Sequence, residues 1–186
     1  MLTVKITDMN TSPNYPRAFQ PIKMNIIHEN TIVGEAEVIL CHHSDEATGN
    51  KSLIDVAKTF REDLYLSLCA LSKHWYLESD CLNKAPIIAY LAYLFIFPEY
   101  RNNGYASEFI DELPNLVQRI TFSRPLCMIT YIEPRSKYHD AAGNLVELSE
   151  LERTQIRTQM DKLFKKHMYF RPSCRHDHQR AFMAFA

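Results

Sequence analysis

The longest uninterrupted apolar run in the chain is Ile87 to Phe97 (IIAYLAYLFIF), and it stops against Pro98. Its eleven residues fall well short of the roughly 20 that a bilayer-spanning helix requires, so the run has to be buried within protein. It is crowded with Ile, Tyr and Phe and ends on a proline, which predicts a strand covered on both faces rather than a short core helix. Such a strand needs a large core around it. With 186 residues, 46% hydrophobic and 23% charged, the chain can supply one. No repeat, low-complexity tract or long linker divides it, so a single domain over residues 1–186 is expected.

Other patterns fall around this strand. Lys23 to Ile27, the polar His28-Glu29-Asn30 and Thr31 to Cys41 predict a β-hairpin. From Ser52 to Leu77 the apolar positions Leu53, Val56, Ala57, Phe60, Leu64, Leu71 and Trp75 change to helical spacing, with Ser52 and Asp55 resembling a capping box. Phe109, Leu113, Leu116, Val117 and Ile120 predict another helix, which Pro114 should kink or shorten. Leu126 to Ile132 reads as a strand. Ser149 with Glu152 opens a last helix whose stripe runs Ile156, Met160, Leu163, Phe164, His167. Short strands are expected at Tyr169 to Arg171 and Arg180 to Phe185.

Charge and cysteine usage narrow the function classes. A net charge of -1 gives no global reason to expect nucleic acid or an anionic membrane as partner. The balance is uneven, because Arg135 to Ala186 holds ten Lys/Arg against six Asp/Glu, which makes that part the better place for a phosphate. The start MLTVKITD lacks the segments of a secretory signal, so a cytoplasmic location is the default expectation. Cys41, Cys69, Cys81, Cys127 and Cys174 are odd in number and form no C-x-x-C pair, which argues for reduced thiols over a disulfide framework or zinc ribbon. Cys174, His176 and His178 form an incomplete ligand set, and no metal is expected. His42-His43 reads as a polar turn.

The unit that carries chemistry is the passage from the central strand through Pro98-Glu99-Tyr100 into Arg101-Asn102-Asn103-Gly104-Tyr105-Ala106 at a helix start. The first amides of a helix have no intrahelical acceptor and sit at the positive end of the dipole, so a turn there can wrap a pyrophosphate. Gly104 and Ala106 keep the approach open.

This passage resembles the signature of the GNAT superfamily of N-acyltransferases, Arg/Gln-x-x-Gly-x-Gly/Ala after a strand. Leu163 to Pro172 (LFKKHMYFRP) is similar to the family's Leu-Tyr-x-Lys-x-Gly-Phe-x-Pro region. The likeness covers residues 87–186, with the hairpin as looser support. It implies an α/β fold with a mixed, largely antiparallel sheet whose splayed central strand pair forms an acyl-coenzyme A cleft. It also implies acetyl transfer from acetyl-CoA to a primary amine by direct attack, with no acyl-enzyme. The implied cofactor-binding residues are Phe95, Ile96, Phe97, Arg101, Asn102, Asn103, Gly104, Tyr105, Ala106 and Ser107. Arg101 has the best claim to a phosphate, with Lys162, Lys165 and Lys166 as further cations.

The catalytic candidates are Glu133, as the base that takes the amine proton, and Tyr169. Tyr131, Tyr138 and His139 are weaker candidates for proton transfer or substrate contact. The tyrosine that often protonates the departing thiolate maps to Phe164 or, shifted by one, Lys165. Tyr93, Tyr131 and Cys127 have packed core positions as their plainer readings. Two features depart from the family pattern: the helical segment Ser52 to Leu77 lies between hairpin and central strand, and the connection Arg135 to Leu148 is long. Both are expected to shape the acceptor pocket. The acceptor is an amine of unread identity. A non-catalytic acyl-coenzyme A sensor or scaffold, or a transferase using another acyl donor, is the alternative.

Overall fold

A computed structural model describes residues 2–9, 16–42, 51–72, 87–123, 125, 127–132, 134, 137–139, 144–167 and 181–185. Six strands form one sheet in the order β1-β2-β3-β4-β5-β8: β1 Leu2–Met9, β2 Phe19–His28, β3 Thr31–Cys41, β4 Ile88–Ile96, β5 Cys127–Tyr131 and β8 Ala181–Phe185. Only the β4–β5 pair is parallel, so the fold is mixed α/β with a largely antiparallel sheet. A second, two-stranded sheet pairs β6 Lys137–His139 with β7 Leu145–Glu147. The helices are α1 Leu53–Phe60, α2 Glu62–Ser72, α3 Tyr105–Thr121 and α4 Glu150–Lys166.

The β2–β3 hairpin forms where the alternation and polar turn place it. Glu29 and Asn30, at φ 48° and 68°, supply the two left-handed residues that a tight turn between twisted strands needs. β1 is a strand that the sequence reading left out. It is an edge strand in which only Leu2, Val4 and Ile6 are half-buried, so its apolar signal is short.

The segment 52–72 is two helices rather than one. Arg61 adopts φ -159° and ψ 121°, and Asp63 holds the break: its carboxylate accepts Arg61 Nε at 2.7 Å and the Leu64 amide at 2.8 Å. Residues 73–77 and the expected strand at residues 169–171 lie outside the described residues. Helix α3, in contrast, runs through Pro114 for 17 residues. An interior proline costs about 3 kcal/mol, and burial of Phe109, Ile110, Leu113, Leu116 and Val117 on both sides of it outweighs that. Helix α4 starts on the expected capping box. Ser149 Oγ accepts the Glu152 amide while its own amide and hydroxyl bind the Glu152 carboxylate, holding that carboxyl below its ordinary range.

Two cores lie on opposite faces of the sheet. Ala36, Val38, Leu40, Ala89, Leu91 and Met128 pack with α3 and with Phe164 of α4. Ile39, Cys41, Ile88, Tyr90, Cys127 and Ile129 pack with α1 and α2. β4 is therefore buried on both faces from Ile88 to Leu91, while Ala92 to Ile96 are half-buried.

β3 approaches β4 closely at Gly34. A methyl group there would lie 2.4 Å from the Phe95 carbonyl oxygen and 2.9 Å from Ile96 Cδ1. Gly34→Ala should therefore destabilise the fold by about 1–3 kcal/mol, the usual cost of overpacking, in a denaturant titration. An unchanged midpoint would mean that the strands part without penalty.

Candidate functional site

Backbone pairing around β4 creates the site. β4 and β5 run in register from Ile88 with Cys127 to Leu91 with Thr130, and the pairing ends there. β4 continues to Ile96 paired with β3, and among the described residues its other edge has no strand partner from Ala92 onward. At the same point β4 carries a bulge: Glu37 opposes Tyr93 and Val38 opposes Leu91, leaving Ala92 as the extra residue. The bulge reverses the alternation, so that Leu94 and Ile96, rather than Tyr93 and Phe95, meet the α3 and α4 side. Thr130 Oγ1 donates to the Leu91 carbonyl at 2.9 Å, tying off the last paired position.

The gap holds a cavity of about 460 Å³. One wall is β4 from Leu91 to Ile96. A second is the loop and first turn of α3: Tyr100, Arg101, Asn102, Gly104, Tyr105, Ala106 and Ser107. Ile156, Gln159, Met160, Leu163 and Phe164 of α4 close the third side, and Thr130, Tyr131, Pro134, Tyr138 and Leu148 complete the lining.

The loop is built for close approach. Asn102 and Gly104 are both left-handed, at φ 66° and 85°, and Asn103 Nδ2 donates to the Tyr100 carbonyl at 3.1 Å. Ser52 and Ser149 cap α1 and α4, whereas Gly104 offers α3 no side chain. The amides of Tyr105, Ala106 and Ser107 precede the first helical bond, Glu108 N to Gly104 O at 3.0 Å. They open onto the cavity with the positive end of the helix dipole behind them. Tyr105 is anchored from the other side, its hydroxyl 3.2 Å from His28 Nδ1 in the hairpin turn.

Eight of the ten residues proposed from sequence to hold the cofactor line this cavity. The other two face away: Phe97 N–H donates to Val33 O at 3.0 Å, and Asn103 is used within the turn. Arg101 lines the cavity, but its Nε donates to the Ile96 carbonyl at 3.1 Å and its guanidinium lies over the Phe95 ring at 5.4 Å. It clamps the end of β4 to the loop.

Glu133, Tyr169 and the run 174–178 lie outside the described residues, as does the side chain of His139. Among the described residues no group of His, Cys, Asp and Glu could hold a metal, and no helix is long and apolar enough to cross a membrane. Phe164 is fully buried against the cavity, Lys165 pairs with Asp161 at 2.7 Å, and Lys162 and Lys166 are exposed. Tyr93 and Tyr131 are half-buried and line the cavity, and Tyr131 also packs against the core on the α1–α2 side. Cys127 is core: burial pushes its thiol up to about 12, so it stays protonated and non-nucleophilic at neutral pH.

The long connection folds back as the β6–β7 hairpin, with the Tyr138 ring 4.8 Å from that of Phe95. Tyr138 and Leu148 from this connection reach the cavity, whereas α1 and α2 contribute no lining residue. No local pattern in the sequence marks Thr130 or the contacts of His167 with Ser107 and Asp111 of α3, because their partners are distant in sequence.

A Cβ at position 104 would meet no protein heavy atom within 4 Å. Gly104→Ala should nonetheless lower stability by about 1–2 kcal/mol, because the left-handed conformation penalises a Cβ, and Gly104→Asn should cost less. Thermal melts of the two variants check this. Equal loss in both would point to contact rather than backbone strain.

No family model matches the chain, and neither does any curated protein. Solved structures with a similar course of the chain include an agmatine N-acetyltransferase mutant in its apo form (TM-score 0.46, 11% identity, 88% of this chain and 74% of that one). A polyamine N-acetyltransferase from Drosophila melanogaster, which catalyses the formation of N-acetylagmatine, gives TM-score 0.46 and 10% identity over the same shares. AtaT complexed with acetyl-methionyl-tRNAfMet gives TM-score 0.45 and 9% identity over 100% of this chain and 95% of that one.

Proposed function

We propose that this protein is a GNAT-like N-acyltransferase that moves an acetyl group from acetyl-CoA to a primary amine by direct attack. One observation carries the reading: the open edge of β4 beyond Leu91 and the uncapped first turn of α3 line the same cavity. The two supply the two kinds of contact that a long, anionic thioester needs. Amides of Tyr105, Ala106 and Ser107 would hold the pyrophosphate, and the unpaired edge of β4 would hydrogen-bond an extended pantetheine arm as a missing strand would. Apolar side chains of α4 would cover the arm and exclude water.

The cosubstrate supplies an activated acyl thioester. The protein's part is to hold its carbonyl where β4 leaves β5, with amides of the strand edge as donors toward the oxygen as charge develops there. An unperturbed alkylamine has a pKa of about 10.4, so it must lose a proton before it attacks. We assign that proton to Glu133, directly or through water, and the protonation of the leaving thiolate to Tyr169. Both are proposals from chain position.

Phe164 favours a second reading. The GNAT resemblance maps the family's thiolate-protonating tyrosine to Phe164 or Lys165, and the buried Phe164 ring cannot donate a proton, which fits a protein that binds acyl-coenzyme A as a sensor without turnover.

Melting with coenzyme A, acetyl-CoA and longer acyl forms tests the reading. A ligand at about 100 times its Kd adds about 2.7 kcal/mol of stability, so the midpoint should rise by several degrees. A folded Gly104→Glu variant should show no such rise, because its carboxylate would occupy the anion's place. No rise in the wild type overturns the reading. With an amine panel, Glu133→Gln should lower turnover mainly at low pH, where fewer acceptor amines are already neutral. Tyr169→Phe should lower it with little change in coenzyme A affinity. Tight binding with no turnover for any donor and amine would select the sensor instead.

A further inference from the structure

His167 ends helix α4 and reaches across to α3. Its amide donates to the carbonyls of Leu163 at 3.3 Å and Phe164 at 3.1 Å, and its side chain is only 7% exposed. The ring is held at both nitrogens: Nδ1 lies 2.5 Å from Asp111 Oδ1, and Nε2 lies 3.0 Å from Ser107 Oγ. Ser107 and Asp111 are one turn apart on α3, which places them on one face. Ser107 also lines the cavity, beside the first-turn amides of Tyr105 and Ala106.

The proton count of this relay has two states. A carboxylate only accepts, so Nδ1 carries a hydrogen toward Asp111. In the neutral imidazole Nε2 is then an acceptor and takes the Ser107 hydroxyl hydrogen, so Oγ turns only lone pairs toward the cavity. In the imidazolium Nε2–H donates to Oγ, and the hydroxyl hydrogen is free to point at a ligand. A phosphate oxygen is repelled by the first arrangement and hydrogen-bonded by the second.

We infer that His167, steadied by Asp111, is a positioning residue that sets the direction of the Ser107 hydroxyl, and that His167 takes up a proton when the pyrophosphate of coenzyme A binds at the start of α3. The inference rests on the acyl-coenzyme A reading above. Among the described residues, the charged groups around the imidazole are as follows. Asp111 contacts it from α3; Glu108, also on α3, is occupied by the Leu2 amide of β1 at 3.0 Å. On α4 there are the exposed Lys166 and the Lys165–Asp161 pair. Asp111 is the only one of these in contact with the ring.

Calorimetry with coenzyme A and with inorganic pyrophosphate, between about pH 5 and 8 and in two buffers of different ionisation heat, tests the linkage. The second ionisation of a phosphate monoester, near about pH 6, adds ligand charge as pH rises and so strengthens binding, opposite in sign to the effect of losing the His167 proton. Ser107→Ala retains the first effect and lacks the second, which makes it the baseline. Relative to it, wild-type affinity for both probes should be about tenfold higher at the acid end and converge at the alkaline end, the worth of one hydrogen bond to a charged group. On binding, the wild type should take up more protons than Ser107→Ala, which keeps only the exchange on the phosphate itself. His167→Gln, if folded, should likewise lack this extra uptake; if it does not fold, Ser107→Ala alone decides. Coenzyme A binding with equal proton uptake in wild type and Ser107→Ala overturns this inference and leaves the acyltransferase reading standing. No coenzyme A binding by the wild type at any pH overturns both.

Discussion

Backbone hydrogen bonding on β4 is the constraint from which the rest of the architecture follows. Every strand residue has one donor and one acceptor to place, and among the described residues β4 is paired on both sides from Ile88 to Leu91 and on one side beyond. Thr130 ties off the last paired carbonyl, and the bulge at Ala92 turns the remaining side chains to the opposite faces. A strand edge left open in the middle of a sheet, rather than at its rim, needs surrounding elements to shelter it from other chains. The α3 loop, α4 and the β6–β7 hairpin do that here, and the space they enclose is the cavity.

The loop after β4 couples that edge to the helix dipole. Arg101 fastens the guanidinium stem to the Ile96 carbonyl and Tyr105 fastens the first helical residue to His28, so the turn is held at both ends. Between them Asn102 and Gly104 spend their conformational freedom on left-handed angles that bring three amides to the same opening. The serines that cap α1 and α4 are extended, whereas the left-handed Gly104 leaves the first amides of α3 without a side-chain cap.

Helix α4 is an unusual wall, because among its apolar residues only Phe164 is fully buried. Ile156, Met160 and Leu163 are half-buried and line the cavity, with Met160 and Leu163 also packed against the core on the α3 side. At its end the His167 ring ties α4 to the first two turns of α3 through Asp111 and Ser107. The sheet below has buried cores on both faces.

The sequence by itself determined the elements whose signals are local. The apolar run ending at Pro98 specified a doubly covered strand, alternation around Glu29-Asn30 specified the hairpin, Ser149 with Glu152 specified a helix start, and Arg101 to Ala106 marked the turn. These depend on neighbours within a few residues, and chain order carries that information. Tertiary structure alone decided the rest. Whether Pro114 would end a helix depended on how much apolar surface its flanks could bury, and whether residues 52–72 made one helix or two depended on an extended Arg61 held by Asp63. The role of Arg101 depended on the Ile96 carbonyl that lay within its reach, and the pairing of His167 with Ser107 and Asp111 on two helices brought together across some sixty positions. Hydrogen bonds and packing act over a few ångströms in space, so contacts between distant positions leave no period or spacing in the chain by which they could be read.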